Sequence, residues 1–240
     1  MIRVNRRFTF VPTASGRRAR WVWCRRLLAV SALIAVVWSF RRPLFFQNFG
    51  VVEPGAVYRC AQPKGNLARL IRDHRLASVL NLRGGTEADP WYASEVRLTR
   101  EQQVDFYDFP MSAIRRPSRW ELLALVDLIE RCRYPLLIHC KWGSDRTGLV
   151  SSLFLMVKRG EPPSQALRAF SLRHGHFPVG GPEHLEEPLS EYGVWLKAHR
   201  LRHAPTRFRE WIEHEYQADD PPISLPPLRP GPRPKSRRSR

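Results

Sequence analysis

The segment PLLIHCKWGSDRTGLVSSLFLM (135–156) holds the residue types best suited to chemistry. An apolar run ends at His139 and Cys140, and five residues separate that cysteine from Arg146. The apolar run predicts a buried strand, and the mostly apolar stretch from Thr147 predicts a central helix. The loop between them should lie at the carboxyl end of a strand and the amino end of a helix, where open α/β sheets bind ligands.

The residues of this loop suit the binding of a phosphate group. Backbone N–H groups at a helix amino end converge on an anion, and Gly143 permits the tight curvature that directs them inward. The planar guanidinium of Arg146 matches two phosphate oxygens. The same field stabilises a thiolate at Cys140, which becomes a nucleophile directed at phosphorus. The polar neighbours Ser144 and Asp145 disfavour the alternative, a buried structural cysteine.

The loop matches the His-Cys-x5-Arg-Thr signature of the cysteine-dependent protein tyrosine phosphatase superfamily. The chain resembles its dual-specificity branch, in particular compact bacterial members similar to the atypical plant and fungal enzymes. The resemblance covers roughly residues 49–195. Beside the loop it rests on four flanking segments, VYRCAQP (57–63), VLNLR (79–83), DFPMS (108–112) and SLRHGHF (171–177).

The resemblance implies a two-step mechanism without a metal or another cofactor. Cys140 would attack phosphorus to form a phosphocysteine, and water would then release phosphate. His139 would orient the loop from behind, and Arg146 with the loop amides would supply the charge stabilisation. Thr147 would hydrogen-bond the thiolate as it leaves. The expected phosphate-binding residues are Lys141, Trp142, Gly143, Ser144, Asp145, Arg146 and Thr147.

The general acid has two candidates. The family usually takes it from an aspartate in the loop before the long helix, but here that loop reads PMSAIRRP (110–117) and holds no acid. Asp108 lies just upstream at a strand end, whereas Asp145 lies inside the phosphate loop, as in some bacterial phosphatases that it resembles. The structural alternatives are a turn hydrogen bond for Asp108 and a salt bridge for Asp145. A reaction without a protein acid also stays open.

Several other polar residues have a functional and a structural interpretation. Arg83 ends a strand, where it would contact substrate phosphate or form a turn salt bridge. Lys141, Arg115 and Arg116 would form a basic rim or remain solvated charges. Trp142 is expected to form a pocket wall. No metal site is expected, because no carboxylate or cysteine completes a recognisable ligand set with His174, His176 and His184.

Strands alternating with helices from Phe49 to about Ala198 predict an α/β domain with a mostly parallel central sheet and helices on both faces. A capping box at Ser118 and Glu121 predicts the start of one helix, and Asn66 is the expected N-cap of another. Strands are predicted at 57–59, 78–82, 105–109 and 136–138. Helices are predicted at 66–75, 91–103, 118–132, 147–158, from 162 onward, and at 182–198.

The chain is strongly basic, with 40 Lys and Arg against 22 Asp and Glu and a formal charge of +18. Such a balance favours anionic partners, although much of the charge lies at the two ends. The expected partner is a phosphorylated protein, lipid or small molecule, and not a nucleic acid. Four cysteines are too few for a disulfide scaffold of this length.

The run LLAVSALIAVVWSF (27–40), with paired arginines on both sides, predicts a membrane anchor. A charge-free run of 14 residues is about 21 Å long as a helix, against a hydrocarbon core of roughly 30 Å. A cleaved signal peptide and a core helix are the alternatives. Eight arginines before Leu27 place the N-terminus in the cytoplasm and the catalytic domain outside it. If the segment is a core helix, the protein is cytoplasmic.

The expected organisation has four parts. A basic N-terminus (1–26) precedes a transmembrane or signal-anchor segment (27–42), a phosphatase domain (49–200) and an extension (201–240) that ends in a disordered tail rich in proline and arginine. The leading hypothesis is a membrane-anchored, cysteine-dependent phosphatase that acts on phosphomonoesters. The alternative is a non-catalytic module that binds phosphate without turnover. A rhodanese-like sulfurtransferase is disfavoured by the Arg-Thr-Gly sequence of the loop.

Overall fold

The computed structural model describes residues 14–39 and 46–218. It divides into two compact units, one ending at Ser39 and the other beginning at Phe40. The first unit contributes a single described helix, α1 (Ala14–Ser39). Trp21 and Trp23 are exposed on α1, and the guanidinium of Arg25 lies 4.6 Å from the ring of Trp21.

In the part of the chain that the structure describes, no helix is both long enough and apolar enough to cross a membrane. The transmembrane segment predicted at 27–42 is therefore not supported, because its charge-free run is short and the same helix carries arginines ahead of it. Residues 1–13 and 40–42 of the predicted N-terminal parts lie outside the described residues. The predicted location outside the cytoplasm depended on that segment and stays a prediction.

The second unit is built on a five-stranded sheet with the order β1-β2-β5-β3-β4. Its strands are β1 (Gly50–Glu53), β2 (Val57–Ala61), β3 (Ser78–Asn81), β4 (Asp105–Asp108) and β5 (Leu136–Cys140). Only the edge strand β1, which the sequence did not predict, runs antiparallel to its neighbour. The predicted mixed α/β architecture with a mostly parallel central sheet is confirmed.

The helices of this unit cover both faces of the sheet. Helices α2 (Leu67–His74) and α3 (Pro90–Glu101) pack on one face, and α4 (Arg119–Arg131) and α5 (Asp145–Arg159) pack on the other. The predicted capping box begins α4, because Ser118 Oγ accepts the N–H of Glu121 and the Glu121 carboxylate accepts the N–H of Ser118. Asn66 occupies the N-cap position of α2 but makes no capping bond with its side chain.

The register of the parallel strands sets which polar side chains share a face. Asn81 of β3 pairs with His139 of β5 and with Asp108 of β4, and Cys60 of β2 also pairs with His139. Paired residues of neighbouring strands point to the same side of a sheet, and successive residues of one strand point to opposite sides. His139 therefore faces α2 and α3, whereas Cys140, the next residue, faces α4 and α5.

The buried core continues past residue 200, into the segment that the sequence assigned to the C-terminal extension. After the short helix α6 (Pro163–Ala166), three 3₁₀ turns (Leu167–Ala169, Leu172–His174 and Pro182–Leu185) and α7 (Glu187–Ala198), the chain forms α8 (Pro205–His214). Phe208, Trp211 and Ile212 form an apolar stripe at helical spacing that is buried where α8 packs on α4. The predicted disordered tail lies outside the described residues from 219 onward.

Candidate active site

The predicted loop joins the buried strand β5 to the amino end of α5. Cys140 is the last residue of β5 and is 2% exposed. The N–H of Gly143 donates to the Sγ of Cys140 over 3.1 Å. The sulfur of Cys140 thus lies against the inward-facing amide of Gly143 at the amino end of α5.

Gly143 has its backbone within contact distance of the neighbouring strand β2. A Cβ at this position would lie 2.5 Å from the carbonyl carbon and oxygen of Cys60 and 2.6 Å from the nitrogen of Ala61. The φ of Gly143 is +69°, in the left-handed region. Both the space and the backbone conformation therefore require glycine here.

Two carbonyl groups of the loop, those of Gly143 and Ser144, are bonded by a buried arginine. Arg59 of β2 is 2% exposed, and its Nη2 donates to Gly143 O at 2.8 Å and to Ser144 O at 3.1 Å. Its Nη1 donates to Ala169 O at 2.6 Å. Sequence reasoning assigned Arg59 no role, although a lone arginine in an otherwise apolar strand was a usable signal.

Asn48 bonds another carbonyl of the loop, that of Trp142, as Arg59 does for Gly143 and Ser144. Its side chain is fully buried, and its Nδ2 donates to Trp142 O at 2.9 Å and to His174 O at 2.7 Å. The hydroxyl of Ser144 also donates to His174 O, at 2.7 Å. Sequence reasoning missed Asn48, and no local pattern marks it, because its partners lie 94 and 126 positions away along the chain.

The remaining predicted loop residues are placed as follows. Arg146 donates through Nη1 to Leu82 O at 3.1 Å and to Met111 O at 3.2 Å, which fixes the guanidinium beside the carboxyl ends of β3 and β4. Thr147 is fully buried, and its hydroxyl has no hydrogen-bond partner among the residues described. Trp142 is 65% exposed, with the ammonium of the exposed Lys141 at 5.4 Å from its ring.

The two candidate acids have different surroundings. Both carboxylate oxygens of Asp108 are bonded, one by Asn81 Nδ2 at 2.9 Å and one by Tyr92 OH at 3.0 Å. Burial raises the pKa of Asp108 despite these two bonds, which suits a proton donor, but the side chain lies on the sheet face opposite Cys140. Asp145 is the first residue of α5 and is bonded by the Nδ1 of His176 at 2.7 Å.

A buried polar network lies behind the loop, on the His139 face of the sheet. The carboxyl of Glu95 on α3 is buried, and it accepts from Gln62 Nε2 at 2.5 Å and approaches His139 Nε2 to 3.5 Å. Burial raises the pKa of Glu95 to about 8, although Arg83 and Gln62 act against it. Burial, followed by the charges of Arg83 and Arg146, lowers the pKa of His139 to about 3. Both groups are therefore uncharged near neutral pH.

Sequence reasoning also missed Glu95, although it lies on the inward stripe of α3 with Tyr92 and Thr99. Arg83 completes the network, since its Nη1 donates to Gln62 Oε1 at 3.3 Å and its guanidinium lies 4.0 Å from the ring of Trp91. The guanidinium of Arg83 thus contacts an amide and an indole, and no carboxylate bonds it in the described chain.

Two other predicted polar residues form ion pairs. Arg115 bonds Glu121 at 3.0 Å, and Arg116 bonds Glu191 at 2.5 Å. The basic rim that includes them with Lys141 stays a prediction. Within the described ranges, no group of three or more His, Cys, Asp or Glu side chains is arranged to hold a metal ion.

Comparison with known proteins gives a family and several similar structures. A family model described as DSP-PTPase phosphatase fused to NAD+ kinase matches residues 48–179, which is more than half of the chain. A structure of a mutant form of Tk-PTP is 23% identical, with a TM-score of 0.49, and the match covers 62% of this chain and 97% of that one. TpbA from P. aeruginosa is 19% identical, with a TM-score of 0.48 and coverage of 70% and 91%. The catalytic domain of the PP-IP phosphatase SIW14 from S. cerevisiae is 18% identical, with a TM-score of 0.48 and coverage of 64% and 93%.

The contact of Gly143 with β2 predicts the effect of a methyl group at this position. Gly143→Ala should lower the free energy of unfolding by several kcal/mol, because the left-handed backbone alone costs about 1–2 kcal/mol and the Cβ also overlaps β2 backbone. Gly55→Ala is the matched control, since Gly55 has a φ of +72° and no atom within 4 Å of the added Cβ. Equal losses in urea titrations of the two variants would contradict the close approach.

Because the pKa of Glu95 is raised, the effect on stability of a neutral side chain at this position should depend on pH. The pKa of Glu95 is about 8 in the folded protein, against an ordinary value of 4.5. Because the folded pKa is raised, the contribution of Glu95 to stability is present below the unfolded pKa and is lost as pH rises through the folded pKa. The stability of Glu95→Gln relative to the wild type should therefore increase across that window, by at most about 1.4 kcal/mol per pH unit.

The control for this variant is Glu101→Gln, at an exposed position on the same helix. Its stability relative to the wild type should be nearly independent of pH. Urea unfolding of both variants at a series of pH values gives the comparison. A difference for Glu95→Gln that does not change with pH would show that Glu95 is ionised in the folded protein.

Proposed function

The chain belongs to the DSP-PTPase family of cysteine-dependent, dual-specificity-type phosphatases, and we propose that it hydrolyses phosphomonoesters through a phosphocysteine at Cys140. The observation that carries this proposal is the amide of Gly143, which donates to the buried sulfur of Cys140 over 3.1 Å at the amino end of α5. A sulfur held in this way is a stabilised nucleophile beside a natural anion site.

In the first step, the Cys140 thiolate attacks phosphorus and the bond from phosphorus to the ester oxygen breaks. The inward amides of the loop and the guanidinium of Arg146 bind the non-reacting oxygens of the phosphate. Two backbone carbonyls already anchor Arg146 Nη1, so the arginine is oriented before substrate arrives. Preorganised donors of this kind stabilise the transition state without a reorganisation cost.

We assign the general acid to Asp145 because Asp108 is engaged elsewhere. Asp108 has both oxygens bonded and lies on the sheet face of His139. Asp145 lies in the loop itself, and its side chain is one-fifth exposed. It protonates the leaving oxygen in the first step. In the second step it accepts a proton from the water that attacks the phosphocysteine, and the Thr147 hydroxyl donates to the departing thiolate.

The rim of the site supports a phosphomonoester with an apolar body, carried by a protein or a small molecule. Trp142 presents most of its indole to solvent, and Lys141 adds a positive charge next to it. An aromatic face binds apolar groups, and an ammonium attracts the dianionic phosphate. The ordinary laboratory equivalent of such a substrate is an aryl phosphate.

Replacement of the nucleophile gives the direct test of this function. Cys140→Ser should lower the hydrolysis of p-nitrophenyl phosphate by at least about three orders of magnitude, as expected for loss of an enzymatic nucleophile. Cys132→Ser is the matched control, because Cys132 is also a buried free cysteine but lies outside the loop. Its rate should stay close to that of the wild type under reducing conditions.

Two outcomes of this assay would contradict the proposal. An unchanged rate in Cys140→Ser would show that another group carries out the reaction. A wild-type chain that binds inorganic phosphate but does not hydrolyse the ester would instead support the non-catalytic phosphate-binding module.

A further inference from the structure

His176 lies between two carboxylates, one of which belongs to the phosphate loop. Its Nδ1 bonds Asp145 Oδ1 at 2.7 Å, and its Nε2 bonds Glu186 Oε1 in a short contact. The imidazole is buried, and its ring centroid lies 4.8 Å from that of Phe170. Packing and two hydrogen bonds therefore fix the ring in one orientation.

The charges around His176 favour its protonated form. Two charged groups act on it, Asp145 from the start of α5 and Glu186 from the residue before α7. Burial alone would lower the pKa of His176, but the hydrogen bonds and charges of the two carboxylates raise it above the ordinary value. An imidazolium that donates from both nitrogens satisfies both carboxylates at once.

A lone carboxylate bonded to a cation holds no proton to give to a leaving group. The proton that Asp145 needs is, however, the one already shared along its bond to His176. We propose, on the basis of the proposed phosphatase function, that His176 is a positioning residue that exchanges this proton with Asp145, and that Glu186 holds His176 in place for the exchange. Asp145 remains the group that touches the substrate.

The proton balance of the cycle closes with these three side chains. As the S–P bond forms and the P–O bond to the leaving group breaks, His176 Nδ1 gives its proton to Asp145, which passes it to the leaving oxygen, so that Asp145 is again a carboxylate and His176 is neutral. As water attacks the phosphocysteine, one water proton passes through Asp145 to His176 Nδ1 and restores the imidazolium, and the electron pair of the S–P bond returns to Cys140. No external acid or base is consumed.

The arrangement differs from an ordinary surface ion pair. His184, for comparison, bonds Glu187 at 2.8 Å, and its side chain is 45% exposed. Among the residues that the structure describes, His176 alone connects the phosphate loop to a second carboxylate, Glu186, whose side chain is one-quarter exposed and so reaches solvent. The chain Asp145–His176–Glu186 thus leads from the loop toward solvent. An imidazole is the only side chain that exchanges protons at both ends near neutral pH.

The test compares esters with good and poor leaving groups in the full-length chain. p-Nitrophenyl phosphate needs little protonation of its leaving oxygen, whereas phenyl phosphate needs more. His176→Asn keeps a polar amide at this position but has no ionisable group, and His184→Asn is the matched control. For each variant, kcat and KM are measured on both esters from about pH 5 to about pH 9, with Asp145→Asn as the reference for loss of the acid.

The proposal predicts a selective loss. His176→Asn should lower kcat on phenyl phosphate by about 10- to 100-fold, a part of the effect of losing a general acid, with a much smaller loss on p-nitrophenyl phosphate and little change in KM. The alkaline limb of the kcat profile should move to lower pH, because no imidazolium remains to supply the proton. His184→Asn should match the wild type on both esters.

A second variant keeps the test independent of folding defects at the buried site. Glu186→Gln removes the outer negative charge at a partly exposed position, so the pKa of His176 should fall and the alkaline limb should again move to lower pH. An unmoved limb in Glu186→Gln, or equal losses on both esters in a folded His176→Asn, would overturn this inference alone. A wild type that hydrolyses neither ester would overturn the proposed function as well.

Discussion

The amides of the phosphate loop can face Cys140 only if the carbonyls of the same residues face away and are bonded elsewhere, because buried backbone groups left without partners are costly. Arg59 meets this constraint for Gly143 and Ser144. Asn48 meets it for Trp142. The backbone N–H of Gln62 reaches Lys141 O at the longer distance of 3.4 Å. The segment around β2 therefore supports the loop that contains the candidate nucleophile.

Successive side chains of β5 point to opposite faces of the sheet, so His139 and Cys140 lie in different environments. Cys140 faces the anion site, and His139 faces a buried polar network with Glu95 on α3. A charge on Glu95 or His139 would have to be desolvated, so burial keeps both side chains neutral near neutral pH. The positive charge of Arg146 is thus not offset by an anionic Glu95 near neutral pH.

Local sequence patterns predicted the loop, because a buried strand, a glycine and an Arg-Thr pair at a helix start determine its position without long-range information. The capping box at Ser118 was predictable for the same reason. The role of Asn48 was not, because its partners are distant in the chain. The face on which Asp108 lies depends on the register of three strands, which no single strand's sequence specifies.

The unsupported and missed assignments also have physical causes. The run at 27–40 has the composition of a membrane segment but not its length. The stripe of α8 was overlooked because it precedes a proline-rich tail, although Phe208, Trp211 and Ile212 have the spacing of a buried helix face. His176 was considered only as a metal ligand, whereas its two partners are carboxylates that become adjacent only in the folded chain.

The proposed hydrolysis depends on covalent transfer of the phosphoryl group to Cys140. Rapid acid quenching of the full-length chain during turnover of p-nitrophenyl phosphate, whose leaving group needs little protonation, followed by peptide mass spectrometry, measures this transfer directly. We expect the mass of one phosphoryl group on the peptide that contains Cys140, and more of it in Asp145→Asn, where the water step is slowed. Sustained turnover with no adduct, or with the adduct on another residue, would contradict the account.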